Sequence, residues 1–115
     1  MTDRFTETPK DHYYAVIFSS QLSEDDAGYG EMGDKMFELA CQQPGCFGAE
    51  SARDGTNFGI TVSFWDSEES IAAWKQNAKH LVAQSMGIDR WYTHYELRVA
   101  RIERSYSGPK KRSVK

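Results

Sequence analysis

Between His12 and Leu22, in HYYAVIFSSQL, side chains alternate so that Tyr14, Val16 and Phe18 share one face and Tyr13, Ala15 and Ile17 the other. A strand apolar on both faces has to be covered on both sides. After Leu22 the period lengthens. Ser23 is placed to cap a helix whose first turn holds Glu24, Asp25 and Asp26, negative charge at the positive end of the helix dipole. Its inward stripe reads Tyr29, Met32, Met36, Phe37 and Ala40, and it runs to about Gln42, where Pro44-Gly45 ends it.

A short strand, CFGAESARD, then turns through Asp54-Gly55-Thr56-Asn57 into FGITVSFW. In the return strand Phe58, Ile60, Val62 and Phe64 face one way, and Gly59, Thr61, Ser63 and Trp65 the other. Ser67 caps a second helix with Glu68 and Glu69 in its first turn and Ile71, Trp74, Ala78, Leu81, Val82 and Ser85 on its stripe. Met86-Gly87 stops it, residues 88–92 add one more turn, and a last strand runs from Thr93 to Tyr106. The order strand, helix, strand, strand, helix, strand is the α+β, ferredoxin-like split βαβ arrangement with an antiparallel sheet. Both helices cover one sheet face. The other face is left to a partner subunit, because the first strand is apolar there too.

The chain has 115 residues, enough for one domain; residues 1–11 and 107–115 read as tails around a domain at 12–106. A net charge of -3 lacks the concentrated basic face that nucleic acid requires. The one basic run, PKKRSVK, reads as a solvated end. No stretch approaches the roughly 20 apolar residues of a membrane span, and the polar, acidic start is no signal peptide, so the expectation is a cytoplasmic protein. Cys41 and Cys46 lack the further Cys or His ligands of a metal site and are expected as free thiols. There is no glycine-rich phosphate loop, no nucleophile elbow and no close histidine pair.

What chemistry the chain carries lies on the second helix and the last strand. Trp74, Asn77, His80 and Gln84 follow one another at helical spacing. Trp74 on the apolar stripe is a core aromatic, or an indole bordering a pocket. His80, six residues further on, is rotated about 120° from it and sits at the flank, where an imidazole can serve as a general base. His94, beside Trp91, Tyr92 and Tyr95, is the second candidate base, whereas His12 reads as solvated.

The apolar opening strand, PGCFGAES, ITVSFWDSEESIAAWKQNAKHLVAQ and WYTHYELRVARIERSY together resemble the antibiotic biosynthesis monooxygenase domain family over His12 to Tyr106. The resemblance implies a homodimer whose open sheet faces meet in a dimeric α+β barrel, each subunit keeping an apolar pocket between helices and sheet. It implies cofactor-independent oxygenation of a small aromatic or quinol-like compound by dioxygen, with no cofactor and no metal. Trp74, His80 and His94 are the catalytic candidates, and Asn77, Gln84, Phe18, Trp65 and Trp91 those for substrate binding. Haem-degrading members of the family use a strand Asn and a helix His; here Phe18-Ser19-Ser20 and Gln84 stand at those positions, which argues against haem degradation. The alternative is a non-catalytic protein of the same fold that binds a small hydrophobic ligand, or a stress-related one whose pocket is vestigial.

Overall fold

The computed structural model describes residues 4–24, 29–85 and 91–109, with the side chains of Tyr29, Met32 and residues 79–85 left aside. Its elements are β1 (Tyr13–Leu22), α1 (Tyr29–Cys41), β2 (Cys46–Arg53), β3 (Phe58–Trp65), α2 (Glu68–Ser85) and β4 (Tyr92–Ile102). The sheet order is β2-β3-β1-β4, and all three pairings are antiparallel. This is the ferredoxin-like order that the hydropathy pattern predicts. Several bounds differ: β4 ends at Ile102 rather than Tyr106, and Ser23 sits in the loop after β1, its N–H donating to the Trp91 carbonyl at 2.7 Å. The expected helix-start charges Asp25 and Asp26, and the stop at Met86-Gly87, lie outside the described residues.

Backbone polarity decides which face the helices cover. The Leu22 N–H donates to the Asn57 carbonyl at 3.1 Å, so the even-numbered residues of β1 turn their amides toward β3. Right-handed crossovers from β1 to β2 and from β3 to β4 then put both helices over the side chains of those same residues. On that face lie Tyr14, Val16, Phe18, Ser20 and Leu22, with Thr61, Ser63 and Trp65 of β3 in register beside them. Trp65 is fully buried there and its indole N–H donates to the Ser63 hydroxyl at 2.8 Å. From α1 and α2 come buried Ala40 and Ile71. Phe37, expected on the inward stripe of α1, is instead 38% exposed, at an open cleft beside the outer edge of β2.

The opposite face carries Ala15, Ile17 and Ser19 of β1 and Phe58, Ile60, Val62 and Phe64 of β3. One corner is closed: Tyr13 packs edge-on against Phe47 and Phe64 and is buried. The N-terminal segment runs along β2, where Arg4 Nη2 donates to the Ser51 carbonyl and the Thr6 N–H to Glu50 Oε2 at 2.9 Å. Ala15 is also buried, Ile17, Ser19 and Val62 are half-buried, and Phe58 and Ile60 are each more than two-fifths exposed.

Two local devices hold the hairpin and the second helix. Asp54 Oδ1 accepts from the Thr56 hydroxyl and N–H and from the Phe58 N–H, which brings the chain round from β2 to β3. Ser67 caps α2, its hydroxyl accepting from the Ser70 N–H at 3.1 Å, the geometry expected of a serine three residues ahead of its partner.

Beneath the helices the Arg53 side chain lies flat over Gly59 and donates to the Ser20 hydroxyl (2.9 Å) and to the Asn57 carbonyl (2.6 Å). A Cβ on Gly59 would meet the guanidinium carbon at 2.6 Å. Gly59→Ala therefore displaces the guanidinium from a buried hydroxyl and should cost about 1–3 kcal/mol, as should Arg53→Ala. Chemical denaturation reads both, and their effects should fail to add because they break one contact set.

The Asp54 carboxyl is held below the usual carboxylate range, first by the Thr56 hydroxyl, then by the Thr56 and Phe58 amides. A folded-state pKa below the unfolded one means that the turn is stabilised by the ionised form. That contribution is whole above the unfolded value of about 3.9 and is lost as the pH falls through the lower folded one. Asp54→Asn should accordingly lower Tm at neutral pH, with the gap to the parent protein closing below about pH 4.

Candidate functional site

The helix-covered face bears a cluster of three aromatic rings. Phe18 stands 5.6 Å from Tyr92 and 5.5 Å from Tyr95, centroid to centroid, and the two tyrosines are 5.7 Å apart. Residues three apart on a regular strand point to opposite faces. Here the register shifts between Gln21 and Leu22, so that Tyr92 pairs with Leu22 and Tyr95 with Ser20. The bulge brings both tyrosines to Phe18, a common use of an extra strand residue. Strict alternation along the sequence separates these two side chains, which is why Tyr95 escapes a reading by pattern.

Beyond the cluster the row continues through Leu97 and Val99, 45% and 48% exposed. Leu97 lies opposite Phe18 and Val99 opposite Val16. Three rings and two aliphatic side chains thus form an accessible apolar floor on the helix side of β1 and β4. Such a surface suits a flat ring, with the tyrosine hydroxyls as polar handles.

Trp74 lies on α2, half-buried, between buried Ile71 and half-buried Ala78. Asn77 is exposed and its amide donates to Gln43 Oε1 at 3.3 Å, tying α2 to the turn after α1. His80 and Gln84 continue α2, and their side chains lie outside the described residues. His94 stands opposite Gln21, on the face turned away from the helices, its ring nitrogen 2.7 Å from Glu96 Oε2. The sheet therefore separates it from Trp74. Trp65 has no accessible surface and its one polar atom is satisfied by Ser63, so it packs the core rather than lining a pocket. Trp91 is also buried, and its backbone carbonyl closes the loop after β1. Of the residues singled out along the sequence, Phe18 lies on the aromatic floor and Trp74 on the helix above that face.

Cys41 and Cys46 stand unbridged at either end of the α1–β2 turn. Burial pushes both thiols up, which keeps them protonated and weakly nucleophilic near neutral pH. Among the described residues no group of three His, Cys, Asp or Glu side chains is arranged to hold a metal ion, and no helix is long and apolar enough to cross a membrane.

The family model for antibiotic biosynthesis monooxygenase matches residues 16–86. The chain belongs to that family. It is 47% identical over 104 residues to protein YqjZ of Bacillus subtilis (strain 168), an alignment covering 90% of this chain and 91% of the relative. Among solved structures it is similar in fold to SnoaB, a cofactor-independent oxygenase from Streptomyces nogalater, with a TM-score of 0.66 and 9% identity over 82% of this chain and 96% of the other. Protein PA3566 from Pseudomonas aeruginosa superposes with a TM-score of 0.64 and 12% identity, covering 82% of this chain and 97% of its own. At such identities the likeness concerns the fold.

Trp74 and Trp65 can be told apart by what their removal costs. Trp74→Ala should lower stability by about 1–3 kcal/mol, less than for an enclosed tryptophan because the ring is half-exposed. Trp65→Ala should cost about 3–5 kcal/mol. Denaturant titration of the two variants checks the order.

Proposed function

We propose that this protein is a cofactor-independent monooxygenase that oxidises a small aromatic or quinol-like compound with dioxygen, working as a cytoplasmic homodimer. The observation that carries the reading is the accessible floor of Phe18, Tyr92, Tyr95 and Leu97 on the sheet face beneath the helix that bears Trp74, in a chain of this family. An electron-rich phenol bound on that floor supplies the electrons for dioxygen itself. The protein's part is to orient the ring, exclude water and take the phenolic proton. His80, on the flank of α2, is the base in this reading, and Asn77 and Gln84 are its polar neighbours. His94, on the other face and paired with Glu96, has no part in it. The similarity to SnoaB, described as a cofactor-independent oxygenase, supports the reaction class. Serine at positions 19 and 20 and Gln84 on the helix supply no imidazole or strand amide for haem.

Oxygen uptake against a panel of hydroquinones and anthrones tests the proposal, with no added metal, flavin or haem. Turnover should appear with at least one of them. His80→Ala should lower kcat by about 100-fold or more while leaving stability within about 1 kcal/mol. Tyr95→Phe, which keeps the ring and removes its hydroxyl, should act mainly on KM. An unfolded His80→Ala protein would mark the imidazole as structural and remove the proposed base.

A further inference from the structure

On the helix side of the sheet one row runs Arg53, Gly59, Ser20, Tyr95 from β2 to β4. The next runs Ser51, Thr61, Phe18, Leu97 and carries part of the aromatic floor. In the first row a cation crosses a strand. Arg53 starts on the outer strand, passes over Gly59 and reaches the hydroxyl of Ser20 on β1. Ser20 is 2% exposed, and among the described residues it is the only polar side chain that is buried. A hydroxyl has one proton to give and lone pairs to receive with, whereas a guanidinium can only give. In the 2.9 Å contact Arg53 Nη2 is therefore the donor and Ser20 the acceptor. The Ser20 proton is still to be placed, and among the described residues no acceptor takes it. A buried donor without a partner is costly, and in a native structure it asks for an occupant.

We propose that the Ser20 hydroxyl donates a hydrogen bond to an oxygen of the compound bound on the aromatic floor, with Arg53 as the positioning residue behind it. This deepens the reading of the preceding section and rests on it. A hydroxyl that accepts from a cation is a stronger donor and a poorer acceptor. The oxygen it holds is accordingly an acceptor, a phenolate or a quinone-like carbonyl, in preference to a phenolic O–H. The proton that the reaction removes leaves toward α2, while the oxygen left behind is held from the sheet.

The surroundings suit that orientation. Tyr95 stands directly opposite Ser20 and is 43% exposed, so a turn of its ring opens the hydroxyl to a ligand lying on Phe18. Rows on one sheet face are about 7 Å apart. An oxygen held in the Ser20 row thus leaves its ring over Phe18 and Leu97, and an apolar substituent over Val16 and Val99. The favoured compound carries its oxygen at one end and hydrocarbon at the other. Among the described residues the charged and titratable side chains bordering Ser20 are Arg53 of β2 and Tyr92 and Tyr95 of β4. His80 is carried by α2 above this face.

4-Nitrophenol, whose anion is coloured, tests this without any turnover. Its ionisation is titrated by absorbance, free in buffer and with the full-length protein at saturation. The parent protein should lower the pKa of the bound phenol by about one unit, which is about a tenfold preference for the anion. Ser20→Ala should abolish that shift, and Ser20→Thr, which keeps a hydroxyl, should retain most of it. Circular dichroism verifies the fold of each variant. If Ser20→Ala does not fold, Ser20→Cys, a weak donor of similar shape, takes its place with the same expectation. A parent protein that binds the anion no tighter than the neutral phenol overturns the proposal, as does one without saturable binding. A folded Ser20→Ala or Ser20→Cys protein that keeps the full shift also overturns it, the hydroxyl then serving an ordered water only. Oxygen uptake by the parent protein decides the preceding reading separately: turnover without the shift leaves the oxygenase standing and removes Ser20 from its site.

Discussion

β1 is hydrogen-bonded on both edges and apolar on both faces, and the rest of the fold answers to that strand. Its edges are taken by β3 and β4 over nearly its whole length. Its helix-side residues are covered by elements that can only arrive by crossover, which is why the two helices share one face. On its other face, among the described residues, Phe47 and Phe64 pack around Tyr13, while Ile60 and Phe58 stay exposed.

That asymmetry explains how much was legible in the sequence. The two periods, two in the strands and 3.6 in the helices, sufficed for element order and for the doubly apolar first strand. The turn at Asp54 and the cap at Ser67 were also legible, because each is a local arrangement of side chain and backbone within four residues. Features that depend on a partner far along the chain were not. Phe37 falls on a helical stripe, yet lies at the edge strand, where no second layer covers it. Trp65 has the composition of a pocket residue and the environment of a core one.

The candidate site divides along the same line. Helical spacing finds Trp74, and the alternation of β1 finds Phe18. A single bulge decides which of Tyr92, His94 and Tyr95 share a face, and nothing in the residue types announces it. His94 is the clearest instance. Its neighbours in sequence are aromatic, but its neighbour in space is a carboxylate. The Arg53 side chain makes the same point for packing, since its partner Ser20 is 33 residues away and the space it occupies exists because Gly59 has no side chain.

The Lys10 carbonyl accepts from both the N–H and the hydroxyl of Ser105, at 2.8 and 3.1 Å. The chain therefore enters and leaves the domain at one corner, beside the end of β4. Joining the two ends there needs only a short bridge, and the Asp54–Asn57 hairpin turn offers an exposed place to open new ones. The connectivity of this fold can thus be cut and rejoined without crossing either face of the sheet, which makes the domain a natural insert for the surface loop of another protein.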